Sequence, residues 1–188
     1  MNAESFNQPL NDWKTDSLRD IGYMFSGAKS FNQPLDKWNT SNISEMAGVF
    51  EGAAVFNQPL NSWDTSKVRR TALMFKDTHD FNQPLDKWDM SNNIYMQEMF
   101  MNAASFNRPI DMWDTSSVQE MYRMFKGTRS FNKPIDSWDI SNVKDMSEMF
   151  MDSNSFNKNL SKWNVKDIKH KDMFKNAKNM KSPKPEGL

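Results

Sequence analysis

The chain contains no cysteine. Disulfides, thiolate metal ligands and thiol nucleophiles are therefore unavailable to it. Histidine is nearly missing too: His79 and His170 are the only two, and each stands alone in the sequence. No G-x-S-x-G, phosphate-binding loop or zinc-ligand spacing occurs, so no catalytic residue, metal site or cofactor is expected. Formal net charge is zero, which removes the usual electrostatic argument for nucleic acid or an anionic membrane. No apolar run is long enough to span a bilayer or to act as a signal peptide. Hydrophobic residues are only 37% of the chain, a thin supply for a core unless they are placed in register.

They are in register. Phe6, Phe31, Phe56, Phe81, Phe106, Phe131 and Phe156 recur every 25 residues, as do Trp13, Trp38, Trp63, Trp88, Trp113, Trp138 and Trp163. A second phenylalanine series runs Phe25, Phe50, Phe75, Phe100, Phe125 and Phe150, then Phe174, one residue early. These three columns hold all 14 Phe and all 7 Trp. A fixed period of this length is the mark of a solenoid, in which each unit buries its apolar face only against its neighbours.

Within one unit, Asn42 to Gly52 carries apolar residues at Ile43, Met46, Val49 and Phe50, a spacing that predicts a helix of about nine residues. Asn42 with Glu45 reads as a capping box, as do Ser17 with Asp20, Ser117 with Glu120 and Asn142 with Asp145. Gly27, Gly52, Asp77, Asn102, Gly127, Asp152 and Asn176 share one column and predict a left-handed residue closing each helix. In the other half, Pro34 and its counterparts forbid a helix, and a short strand over Leu35–Trp38 fits after the proline. Strands stacked at roughly 4.8 Å form a parallel sheet. The expected fold is thus an α/β, leucine-rich-repeat-like solenoid: seven repeats of one short parallel strand plus one short helix, over residues 1–180. Repeat seven reads as a degraded C-terminal cap, and residues 181–188 as a flexible tail. Two irregularities stand out. Asn93 occupies a column of Leu, Ile and Val, which predicts a local shift that brings in Ile94, and Thr71 replaces a methionine. At the other end "MNAES" enters mid-repeat with no evident cap, leaving a terminal edge prone to association.

The unit, with "FNQPLDKW" read twice and a following M-F-x-[GND]-A pattern as at Met24–Ala28 and Met99–Ala103, resembles the tandem repeats of BspA-like leucine-rich-repeat bacterial surface proteins, the 25/26-residue repeats of the mycoplasma lipoprotein type. The resemblance covers Ser5 to about Ala177. It implies a leucine-rich-repeat solenoid, an extracellular or cell-surface location, and a binding or adhesion role without enzymology. The chain itself shows no lipobox cysteine, signal peptide or wall anchor.

Asn7, Asn32, Asn57, Asn82, Asn107, Asn132 and Asn157 form an unbroken polar column. Set directly after a buried Phe, it reads as an internal ladder that satisfies backbone groups, in preference to a row of ligand contacts. Two acidic columns, Asp36, Asp86, Asp111 and Asp136, and Asp64, Asp89, Asp114 and Asp139, raise calcium binding. The second precedes Thr/Ser and an expected helix start, where a turn or helix N-terminal role is ordinary. Methionines such as Met46, Met96 and Met121 follow the buried stripe and read as core.

The variable columns are the candidate partner-binding face. One comprises Lys37, Ser62, Lys87, Met112, Ser137 and Lys162. Another turns from Gln8, Gln33, Gln58 and Gln83 to Arg108, Lys133 and Lys158, so basic charge gathers at the C-terminal end. The expected function is a non-enzymatic binding or adhesion scaffold for a protein or glycan on another surface, without nucleic-acid binding or membrane insertion. The alternative is a structural spacer that self-associates end to end without a specific ligand.

Overall fold

The computed structural model describes residues 3–188. Each 25-residue unit forms one coil, and successive coils stack so that the three aromatic columns become three rows of rings. The Phe6 row advances by 5.8–6.1 Å per coil. The Phe25 row advances by 5.3–5.8 Å, and Trp38 to Trp63 by 6.2 Å. The two phenylalanine rows also stack on each other, Phe50 lying 3.9 Å from Phe56 and Phe75 4.0 Å from Phe81. Every ring from Phe31 to Phe156 is buried, as is every tryptophan except Trp13, which is 57% exposed in the first coil.

The strand-plus-helix repeat expected from the sequence is not what forms. Among the described residues there is no helix, and β-structure is confined to isolated bridges. The reason lies in the spacing. Packed helices need axes about 8–10 Å apart, and coils whose rings stand less than 6.5 Å apart leave no room for one helix per coil. The segment instead runs as overlapping tight turns over residues 47–52. Its amide hydrogens alternate in direction. Met46, Gly48, Phe50 and Gly52 donate across to Arg70, Ala72, Met74 and Lys76 of the next coil at 2.8–3.0 Å, whereas Glu51 and Ala53 close turns onto Gly48 and Phe50. An α-helix would direct all of them to the residue four back.

Alternation requires two left-handed residues per coil, four apart. The column ending each expected helix does have positive φ, from Gly27 at 69° to Asn176 at 60°. A second left-handed residue sits inside the segment: Tyr23, Gly48, Leu73, Glu98, Arg123, Glu148 and Asp172, with φ between 55° and 62°. That residue breaks the helix. The capping-box acids serve locally instead: Asp20, Glu45 and Asp145 accept from the amide two residues on.

Leu35–Trp38 is likewise not a strand. The chain turns at residues 36–37, and the Trp38 amide closes onto Leu35 O at 3.2 Å. Pro34 lacks an N–H and the neighbouring amide at Asn32 is taken by a side chain, so no ladder can run through this segment. Parallel bridging runs along Asp20, Glu45, Arg70, Tyr95, Glu120, Asp145 and Lys169, one pair per step, with one further parallel bridge between Asn164 and Glu186 among the described residues.

Asn93 also departs from expectation. No shift brings Ile94 inward: Asn93 is fully buried, Ile94 half-buried. Neither side-chain atom of Asn93 has a hydrogen-bond partner among the described residues, nor has Thr71 Oγ1.

The last residues are hydrogen-bonded to the coil before them. Lys181 and Ser182 donate their amides to Asn157 Oδ1. Leu160 donates to Pro183 O, Val165 to Glu186 O, and Glu186 to Trp163 O. Pro185 is buried, and Lys184 Nζ stands 5.6 Å from the Phe174 ring centre.

Candidate functional site

The inward columns are consumed in holding the coils together. In the asparagine column, each Oδ1 accepts the backbone N–H of the next asparagine at 2.9–3.0 Å, from Asn7 to Asn32 through Asn132 to Asn157. The glutamines reinforce it, Gln33, Gln58 and Gln83 donating Nε2 to the same oxygens of the preceding coil. Tryptophan supplies a second line: the indole N–H of Trp38, Trp63, Trp88, Trp113 and Trp138 donates to the carbonyl of the Leu or Ile 28 residues earlier. Thr15, Thr40, Thr65 and Thr115 donate to the backbone of the following coil. None of these groups is free for a ligand.

The outer skin is different. Lys37, Ser62, Lys87, Met112, Ser137 and Lys162 are all exposed, one per coil, on the edge where the chain turns after the proline segment. Lys37 pairs with Asp12 at 2.8 Å and Lys162 with Asp136 at 2.7 Å. The hydrogen bond to Lys37 holds the Asp12 carboxyl below its ordinary value, and Lys162 does the same for Asp136. Ser62 and Ser137 turn their hydroxyls onto Asp36 O and Asp111 O. Met112 is 52% exposed between them. Arg108, Lys133 and Lys158 are half-buried beside this edge, with Arg108 Nε fixed to Asn82 O at 2.7 Å.

The acidic columns divide between two jobs. Asp64, Asp89, Asp114 and Asp139 accept from the amides of Ser66, Ser91, Ser116 and Ser141, and these bonds lower the carboxyls of Asp64, Asp114 and Asp139. Asp36 and Asp86 accept from Asn11 and Asn61. No group of three or more His, Asp or Glu side chains converges as a metal site among the described residues.

Two surface features escape the sequence reading because they lie in the segment read as a helix. The first is a charged ridge. Lys76 bridges Glu51 and Glu98, Arg123 bridges Glu98 and Glu148, and Lys126 joins Glu148 at 2.6 Å. The alternation Glu98, Arg123, Glu148 in one column was the available signal. The second is an open groove of about 630 Å³ that crosses coils three to six, lined by Lys67, Arg69, Asn92, Ser117, Gln119 and Asn142 among others. Its walls carry only hydroxyl, amide, cationic and one apolar side chain.

Residues 1–102 and 74–186 each match a family described as "Mycoplasma protein of unknown function, DUF285". No curated protein matches the chain.

Proposed function

We propose that this chain, which belongs to that mycoplasma repeat family, is a non-enzymatic binding scaffold whose outer skin takes a protein or glycan on another surface. The two overlapping family matches fit a tandem-repeat protein; the binding role, the absence of catalysis and the extracellular location are our reading. Kinship with BspA-like surface repeats is part of it and rests on the recurring "FNQPLDKW" wording and the M-F-x-[GND]-A pattern.

The observation that carries the proposal is the division of labour between columns. Phe, Trp and Asn repeat without change and, from the second coil on, face inward or across coils. The columns of Lys37 and Arg108 change from coil to coil, the first fully outside and the second at its flank. A rigid frame that fixes the spacing of side chains chosen for something other than folding suits recognition of an extended partner. The charge-reversing variant Lys133→Glu/Lys158→Glu, neither side chain of which makes a hydrogen bond or ion pair among the described residues, tests this. Saturable binding to one component of a glycan array or a panel of matrix proteins, weakened at least tenfold by the reversal with the melting temperature unchanged, supports the scaffold. Binding unaffected by the reversal, or no saturable binding across the panel, favours the spacer reading.

A further inference from the structure

We infer that the two ends of the coil stack are complementary to each other, and that Lys181–Leu188 is a plug that keeps a second copy of this chain from docking head to tail. The plug fills the positions the next coil would use. Everywhere inside the stack, an asparagine Oδ1 accepts the amide of the next coil's asparagine; at Asn157 the Lys181 and Ser182 amides take that place. Glu186 bridges Asn164, and its amide and carbonyl join Trp163 and Val165. Lys184 lies over the face of Phe174, the last ring of its row. The tail cannot itself be extended in the same way. It carries two prolines without amide hydrogens, Pro183 and Pro185. Gly187 is in a left-handed conformation with φ 90°, its position so close to Lys166 that a Cβ would come within 2.7 Å of that backbone nitrogen.

The first coil presents what the plug covers. Phe6 is half-buried, Trp13 and Tyr23 are 57% and 52% exposed, and Phe25 closes a hollow with them. The amide of Asn7 and the indole N–H of Trp13 have no acceptor among the described residues, while their counterparts at Asn32 and Trp38 do. Charge agrees with this pairing. Set as an eighth coil, a second copy would bring Asp12, Asp16 and Asp20 onto the columns ending in Lys162, Lys166 and Lys169. Opposite charges already pair across one coil step in two of these columns, Lys37 with Asp12 and Arg70 with Glu45. The occupant of the plugged end is therefore the N-terminal coil of another copy, held by interactions continuous with those between coils.

Sedimentation velocity over a hundredfold concentration range tests the inference with the full chain, a chain lacking residues 181–188, and the full-length Pro185→Asp variant. The intact chain is expected to stay monomeric. Both altered chains should gain mass as concentration rises, and adding Asp12→Lys/Asp16→Lys/Asp20→Lys to either should weaken that assembly at least tenfold. Folded monomers from both altered chains, assembly indifferent to the acid-to-lysine changes, or equal assembly by the intact chain would overturn it. So would loss of folding in both altered chains, since the tail would then be part of the last coil. None of these outcomes bears on ligand binding by the outer skin.

Discussion

The Oδ1 of Asn82 lies 3.0 Å from the backbone nitrogen of Asn107, one coil further on, and accepts its hydrogen. The Asn82 amide is in turn taken by Asn57 Oδ1 at 3.0 Å. One side chain per coil thus replaces the ladder that Pro84 forbids in this segment.

Removing that acceptor should destabilise the stack without unfolding it. Asn82→Ala leaves the half-buried Asn107 amide without a partner, at a cost of about 1–3 kcal/mol. For a chain of this size that lowers the melting temperature by about 2–4 °C per kcal/mol. Asn82→Asp keeps the acceptor and should recover part of the loss. Equal melting temperatures for Ala and Asp would show that the oxygen is not what matters.

Asn93→Val should do the opposite. The asparagine is fully buried with both polar atoms unpartnered among the described residues, and Val68, Val118 and Val143 occupy the same column in nearby coils. Replacing an unsatisfied amide by a side chain of similar shape should raise stability by about 1–3 kcal/mol in urea unfolding. A destabilised variant would reveal a partner for Asn93, such as a buried water.

Acid should weaken the charged ridge. Hydrogen bonds from Arg123 and then Lys126 bring the Glu148 carboxyl down to about 2, from an ordinary 4.5. A carboxyl lower in the folded state favours folding above its unfolded value, and that contribution disappears as pH falls from about 4.5 toward 2. Urea midpoints measured across this range should drop more steeply for the native chain than for Glu148→Gln, and the two should converge near pH 2. Parallel curves would mean the ridge is too well solvated to matter.

The period, the buried rows and the glycine, asparagine and aspartate column at positive φ were all legible in the amino-acid order, because 25-residue spacing makes each column self-evident. The turns were not. Ile43, Met46, Val49 and Phe50 fit one face of a helix and fit a chain of alternating turns equally well, since all four are buried either way. The second left-handed column offers little warning: Glu98, Arg123 and Glu148 are good helix formers held at φ 55–57°. What decides against the helix is coil-to-coil distance, a property of neighbours rather than of one repeat. The variable columns were legible as variable, but which of them face outward was not, since a one-residue change of register exchanges faces; the ridge and groove were hidden by the helical reading of their segment. Asn93 was recognised as misplaced, but local apolarity at Ile94 suggested a shift that the rigid register of adjacent coils does not permit.

The stacked-turn account is tested most directly by backbone NMR chemical shifts over Ile43–Gly52 and its counterparts. It predicts left-handed signatures at Gly48 and Gly52, and likewise at Glu98 and Asn102, with no continuous run of helical Cα shifts between them. An unbroken helical run from Ile43 to Glu51 would contradict it.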